Sequence, residues 1–265
     1  MMTRRTLITA AAGLAAAGPS AAQAPQADIR TLATKAGLRP GGVEQIAMLL
    51  YPGMTALDFV GPYHFLASMP GAKVHLVTNQ ADLRPVPSDL GMAIQPTTLM
   101  KDCPDQLTVL FTPGGTAGTV AAARDAATVA FMRDRAARAR YVTSVCTGSL
   151  ILGAAGVLKG RRATSHWAAV PLLEKFGAIP VRERVVRDGN VITGAGVSAG
   201  LDFGSGLVAE IQGRPAAEAA VLLAEYDPQP PIRGGSLRTA RPEIAEFLKA
   251  ALSPFTAEAA ALRVL

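Results

Sequence analysis

Short apolar runs that end in glycine or proline alternate along the chain with longer stretches in which apolar residues recur every three to four positions. VEQIAMLLY (43–51) predicts a first strand, closed by Pro52-Gly53, and TALDFVGPYHFLASM (55–69) predicts a helix disturbed at Gly61-Pro62. KVHLVTN (73–79) predicts a second strand. Residues 80–106 are rich in Pro, Asp and Gly, and a short hairpin around GMAIQP (91–96) is expected there. LTVLFTPGG (107–115) reads as an apolar strand running into a double-glycine turn, followed by one long Ala-rich helical region over 117–139. YVTSV (141–145) predicts the next strand, and TGSLILGAAGVL (147–158) the helix after it. Over 181–196 apolar and polar positions alternate about Asp188-Gly189 or Gly189-Asn190, a hairpin, and AGLDFGSGLVAEIQG (199–213) opens another helix.

Apolar strands alternating with helices imply an α/β fold with a mostly parallel central sheet covered on both faces. Ligands of such sheets sit beyond the carboxyl ends of the strands. Three candidates occupy those positions: Asp58 after the first strand, Gly114-Gly115 after LTVLFTP, and Cys146 after YVTSV.

With 49% hydrophobic and 17% charged residues in 265, the chain is neither disordered nor a coiled coil, and it is long enough for one large domain. Its first 24 residues, MMTRRTLITAAAGLAAAGPSAAQA, run from an Arg-Arg pair through an apolar run to small residues. That order predicts a twin-arginine signal cut between Ala22 and Ala24, and hence a periplasmic protein. The apolar run is too short for a stable membrane anchor. Residues 25–42 are expected to be a mature N-terminal tail, 43–232 the domain, and 233–265 a C-terminal helical tail after the Pro-rich YDPQPPIRGG.

The net charge of +6 falls by two once Arg4 and Arg5 are removed, and the remaining charge is scattered. RDRAARAR (133–140), the densest basic run, has helical spacing and reads as a solvated helix face, so no nucleic-acid partner is expected. The two cysteines, Cys103 and Cys146, are expected to be free thiols. Three widely spaced histidines form no metal-ligand pattern. No P-loop or dinucleotide fingerprint is present, GAGVSAG (194–200) reads as a packing turn, and no cofactor is expected.

Cys146 lies where a strand turns sharply into a helix. Such an elbow exposes a side chain, and the helix N-terminus favours the thiolate. A buried core cysteine is the alternative, and position alone leaves both open.

YVTSVCTGSLILGAAGVLKGRRATSHW (141–167) closely resembles the nucleophile segment of isonitrile hydratases, members of the ThiJ/PfpI superfamily with a class I glutamine amidotransferase-like fold. LLYPGMTALDFVGPYHFLASMP, VLFTPGGTAG, GAIPVRERVVRDGNVITGAGVSAGLDF and AEYDPQPP are similar to their counterparts there, so the resemblance covers roughly 43–232. It implies a flavodoxin-like three-layer sandwich, a homodimer, and a catalytic set falling on Asp58, Cys146 and Thr147. It further implies hydration of a small-molecule isonitrile to an N-substituted formamide through a cysteine thioimidate. In that chemistry Asp58 supplies the proton and Thr147 holds the attacking water. The backbone N–H groups of Gly114 and Gly115 are expected to face developing negative charge, and His166 to line the pocket. Thr147 stands where protease-like members of the superfamily have histidine, which removes the adjacent Cys-His pair of a peptidase. Two other readings are a glyoxalase-like or redox-sensing stress protein and a ligand-sensing module related to AraC-type regulators. Asp58, in place of the stress branch's glutamate, argues against the first, and the short tail after 226 against the second.

Overall fold

The computed structural model describes residues 28–265, so the expected signal over 1–24 lies outside the described residues. The stretch expected to be plain tail carries a helix, α1 (Ile29–Lys35), whose Asp28 cap accepts from the Arg30 N–H at 3.1 Å. Then follow β1 (Glu44–Leu50), α2 (Ala56–Ser68) and β2 (Ala72–Thr78). The Pro- and Gly-rich stretch holds three two-residue strands, β3 (Val86–Pro87), β4 (Ala93–Ile94) and β5 (Thr98–Leu99), with β3 and β4 pairing as the expected hairpin. The chain continues through β6 (Leu107–Thr112), α3 (Ala117–Arg124), α4 (Ala126–Ala136), β7 (Ala139–Val145) and α5 (Gly148–Ala154). After β8 (Arg162–Ala163), a 3₁₀ stretch (Val170–Phe176) and β9 (Ile179–Pro180) comes the hairpin β10 (Val185–Asp188)–β11 (Val191–Gly194). Four helices finish the chain: α6 (Ala199–Gln212), α7 (Arg214–Leu223), α8 (Pro242–Ala251) and α9 (Ser253–Ala260).

The main sheet has the order β10-β11-β7-β6-β1-β2-β5 and is parallel except for β10. Its strands are apolar because both faces are covered: Ile46 to Leu50 are all at most 1% exposed. One helix group, α2, α6 and α7, packs together, and a second comprises α3, α4, α5 and α9. The result is a three-layer α/β sandwich. From β1 the chain steps to β2 on one side and returns to β6 on the other. The crevice for a ligand therefore lies at the carboxyl ends of β1 and β6.

Three helical expectations change. The region 117–139 is two helices, because Asp125 ends one and starts the next: its N–H closes α3 on the Ala121 carbonyl, and its carboxylate caps α4 by accepting from the Thr128 N–H at 2.9 Å. α2 runs unbroken through Gly61-Pro62; proline removes only the N–H that would bond the Asp58 carbonyl, and Pro62 is buried in the core. The C-terminal stretch divides at Leu252, with Pro254 in the first turn of α9. α7 was not anticipated at all. The tail is docked rather than loose: Ala259 and Leu262 are buried, and the Leu265 N–H donates to the Ala154 carbonyl at 3.0 Å.

Candidate active site

Strand β7 delivers Cys146 into the crevice, and the backbone there turns sharply. Cys146 has φ +58°, a left-handed conformation that costs a non-glycine residue free energy. Two carbonyls hold the turn: the Cys146 N–H donates to Gly194 O at 3.0 Å and Ala195 O at 2.9 Å. From below, Ser165 Oγ donates to the Cys146 carbonyl at 3.0 Å. The elbow anticipated at this position is present, but its thiol is only 5% exposed.

Burial and the Asp58 carboxyl push the Cys146 thiol well above its ordinary range, opposed by the Thr147 and Val197 backbone N–H groups directed at the sulfur. The expected thiolate-favouring helix N-terminus is therefore outweighed by desolvation. These two N–H groups are the donors available to negative charge on sulfur. Val197 belongs to GAGVSAG, read from the sequence as a packing turn; its contribution to the site went unrecognised because a nucleotide-like glycine pattern says nothing about the direction of one N–H.

Asp58 reaches the same point from the first turn of α2 and is fully buried. Burial raises its carboxyl to about 7, although the facing Cys146 thiol and the Gly114 N–H favour the ionised form; the negative charge of Asp89 adds to the rise. The Gly114 N–H donates to Oδ2 at 3.1 Å, and Oδ1 has no hydrogen-bond partner. An orphaned buried carboxyl oxygen beside a thiol is costly for stability and useful for proton transfer.

The double glycine does not do what was expected of it. Its N–H groups are already committed, Gly114 to Asp58 and Gly115 to Thr147 Oγ1 at 2.9 Å, so neither faces a substrate. Glycine is required for a different reason: a Cβ on residue 114 would sit 2.5 Å from the Thr147 nitrogen and 2.8 Å from Cys146 Cβ. Only a residue without a side chain lets the two strand ends meet. Thr147 also departs from expectation. Its hydroxyl accepts from the Gly115 N–H, donates to the Gly115 carbonyl and lies 3.1 Å from Thr119 Oγ1. Its single proton is committed to the Gly115 carbonyl and one lone pair to the Gly115 N–H, which leaves it no proton to donate to an attacking water. Thr147 instead locks the elbow to the double-glycine turn, and Tyr51 extends the lock: its hydroxyl donates to the Pro113 carbonyl at 2.7 Å and lies 2.9 Å from Thr119 Oγ1.

Beside the elbow lies a cavity of about 720 Å³ whose wall includes Ser165, His166, Trp167, Gly196 and Val197. Cys146 is separated from it by the segment 195–197. His166 is part of that wall; burial lowers its basicity, and its hydrogen bonds run to its own turn rather than to Cys146 or Asp58. Among the described residues no group of three or more His, Cys, Asp or Glu side chains is placed to hold a metal. Cys103 and Cys146 are both free thiols.

A family model described as the DJ-1/PfpI family matches residues 44–210. The chain is 50% identical over 210 residues to the isonitrile hydratase of Pseudomonas putida, an alignment that spans 79% of this chain and 90% of that protein. It shares 53% identity with a ThiJ/PfpI family protein from Pseudomonas syringae of known crystal structure, at a TM-score of 0.84 over 92% of this chain and 98% of the other. Drosophila melanogaster DJ-1beta, 22% identical with a TM-score of 0.61 over 68% of this chain and 96% of that one, has the same fold.

Proposed function

The chain belongs to the DJ-1/PfpI family, and from that premise we propose that it is an isonitrile hydratase-like enzyme that adds water to an isonitrile and releases an N-substituted formamide. The observation that carries this reading is the buried Asp58 carboxyl, raised to about 7, facing a thiol on a strained elbow with no histidine beside it. The 50% identity to an isonitrile hydratase supports it.

An isonitrile carbon carries a lone pair and becomes electrophilic once protonated. The Cys146–Asp58 pair holding one proton between them supplies both halves of that step. The proton passes from the carboxyl to the carbon as the sulfur forms its bond to the same carbon, giving a thioimidate, R–N=CH–S–Cys146. While charge sits on sulfur, the Thr147 and Val197 N–H groups stabilise it. Asp58, now a carboxylate, takes a proton from water as the water oxygen adds to the thioimidate carbon. Collapse breaks the carbon–sulfur bond, nitrogen is protonated, the formamide leaves, and Cys146 recovers its proton.

Activity then needs the singly protonated pair. Both groups are protonated at low pH, so kcat/KM rises as pH passes about 7, and it falls only where the raised thiol is lost. The enzyme is taken to act in the periplasm as a homodimer, on the strength of the Arg4-Arg5 leader and the family resemblance. Formamide release by the purified protein, with methylglyoxal as a comparison substrate, tests the reading. Turnover of isonitriles that is lost in Cys146→Ala and in Asp58→Asn supports it. Substantial hydration by either variant, or methylglyoxal turnover without isonitrile turnover, sinks it.

A further inference from the structure

Val197 directs its N–H at the Cys146 sulfur from residues 195–198, which join β11 to α6 and belong to neither. No strand ladder or helix aims a donor in such a segment, so its direction must come from what holds the flanking residues. Ala195 is fixed through both backbone groups: its N–H donates to the Arg184 carbonyl at 2.9 Å, and its carbonyl accepts the Cys146 N–H at 2.9 Å. At Gly196 the His166 ring takes the place of a side chain, with Cδ2 2.7 Å from where a Cβ would stand. At the far end Ser198 Oγ accepts from the Arg184 guanidinium at 3.3 Å. Arg184 therefore grips both flanks of Gly196-Val197, one with its carbonyl and the other with its side chain. The guanidinium is itself held. It pairs through Nε with Oδ2 of Asp202, in the first turn of α6, and the Tyr226 hydroxyl donates to Oδ1 of the same carboxylate. Tyr226 in turn packs edge-on against Phe65 of α2, the helix that carries Asp58, with ring centroids 6.1 Å apart.

From that geometry we propose that Arg184, held by Asp202 and Tyr226, is a positioning residue for the hydration: it fixes the 196–197 peptide so that the Val197 N–H meets the Cys146 sulfur. The catalytic part of this inference rests on the hydratase reading; the placement of the N–H does not. Arg184 acts through the backbone rather than on the reacting atoms. Its ion pair with Asp202 is half-exposed and adds little to stability. What it supplies is direction. A donor stabilises charge only within a narrow range of distance and angle, so a loosened peptide loses that effect while the fold persists. A guanidinium can bond Ser198 and a carboxylate at once from one rigid plane, which suits it to hold two points of a turn.

The test compares Arg184→Gln with Arg162→Gln, which breaks the half-exposed Arg162–Glu183 pair nearby and has no side-chain bond to residues 195–198. Two quantities are read: isonitrile hydration, and the amide proton resonance of Val197 in protein carrying isotopically labelled valine, assigned by its loss in Val197→Ile. In Arg184→Gln the resonance should move toward its position in Cys146→Ala, where the sulfur is absent. The same variant should lose roughly tenfold in kcat with KM unchanged, less than the loss of a whole donor, and should melt within about 3 °C of wild type. Arg162→Gln should match wild type in both readings. With normal wild-type turnover, an unmoved Val197 resonance in Arg184→Gln, a moved resonance with unchanged kcat, or equal effects in Arg162→Gln overturns the inference and leaves the hydratase reading intact. A wild type that hydrates no isonitrile overturns that reading and the catalytic role of Arg184 with it, while the resonance still decides whether Arg184 places the N–H.

Discussion

Cys103 and Cys146 sit at opposite ends of the parallel sheet. Cys103 lies just before β6, at the amino edge, and Cys146 just after β7, at the carboxyl edge. Both are buried free thiols, and burial raises both. By nearest charge alone Cys103 is the better thiolate, since Arg135 favours its ionised form while Asp58 opposes that of Cys146. Yet Cys103 has an ordinary extended backbone, φ −71°, and its sulfur contacts the Pro104 carbonyl at 3.7 Å. What distinguishes Cys146 is geometry: a left-handed elbow, two N–H groups on the sulfur, and a carboxyl able to carry its proton. On the proposed mechanism, the reactivity of Cys146 is a property of the strand end rather than of the residue type or of a low thiol pKa.

The sharpest way to break this comparison is to remove each sulfur in turn. Cys146→Ala should lower isonitrile hydration by roughly 10⁴-fold or more, and Cys103→Ala should change it by less than about twofold. Equal losses in steady-state assays would erase the distinction. Next in size is the proton carrier. Asp58→Asn should cost about 10²–10³-fold in kcat, the usual worth of a positioned acid or base. It should also stabilise the fold at alkaline pH. A carboxyl raised to about 7 in the folded chain is favoured there when protonated, so its contribution is lost as pH rises from about 4 through about 7. Thermal melts should therefore show Asp58→Asn above wild type at pH 8, with the gap closing at pH 4.

Smaller effects probe the lock behind the elbow. Tyr51→Phe and Thr119→Val each remove one hydroxyl from the chain that reaches Thr147, and each should lower kcat by about tenfold with KM unchanged. A change in KM alone would mean that the network shapes binding instead. The smallest is a shift in pH profile. Asp89 adds to the rise of Asp58, so Asp89→Asn should move the acid limb of kcat/KM to lower pH while leaving the plateau near wild type.

The alternation of strands and helices was legible because strand and helix periods differ, and the three strand-end candidates followed from the rule that parallel sheets bind at their carboxyl edge. Asp58 and Cys146 do meet there. The use made of their neighbours was not legible. That Gly114 and Gly115 spend their N–H groups on Asp58 and Thr147, and that Val197 points at the sulfur, depends on contacts 32 to 56 residues apart in sequence for the first two and on one peptide's orientation for the last. Local patterns do not encode such contacts. The division of 117–139 at Asp125 was hidden for a different reason: an aspartate inside an Ala-rich run reads as one polar position, although a capping residue can end one helix and begin another.

The central claim is that Cys146 forms a covalent bond to the isonitrile carbon. Acid-quenching the wild-type enzyme during turnover and mapping its peptides by mass spectrometry tests that claim directly. The result expected is an adduct with the mass of the intact isonitrile on the peptide containing Cys146 and none on that containing Cys103. Turnover with no adduct on Cys146, or an adduct on Cys103, would contradict it.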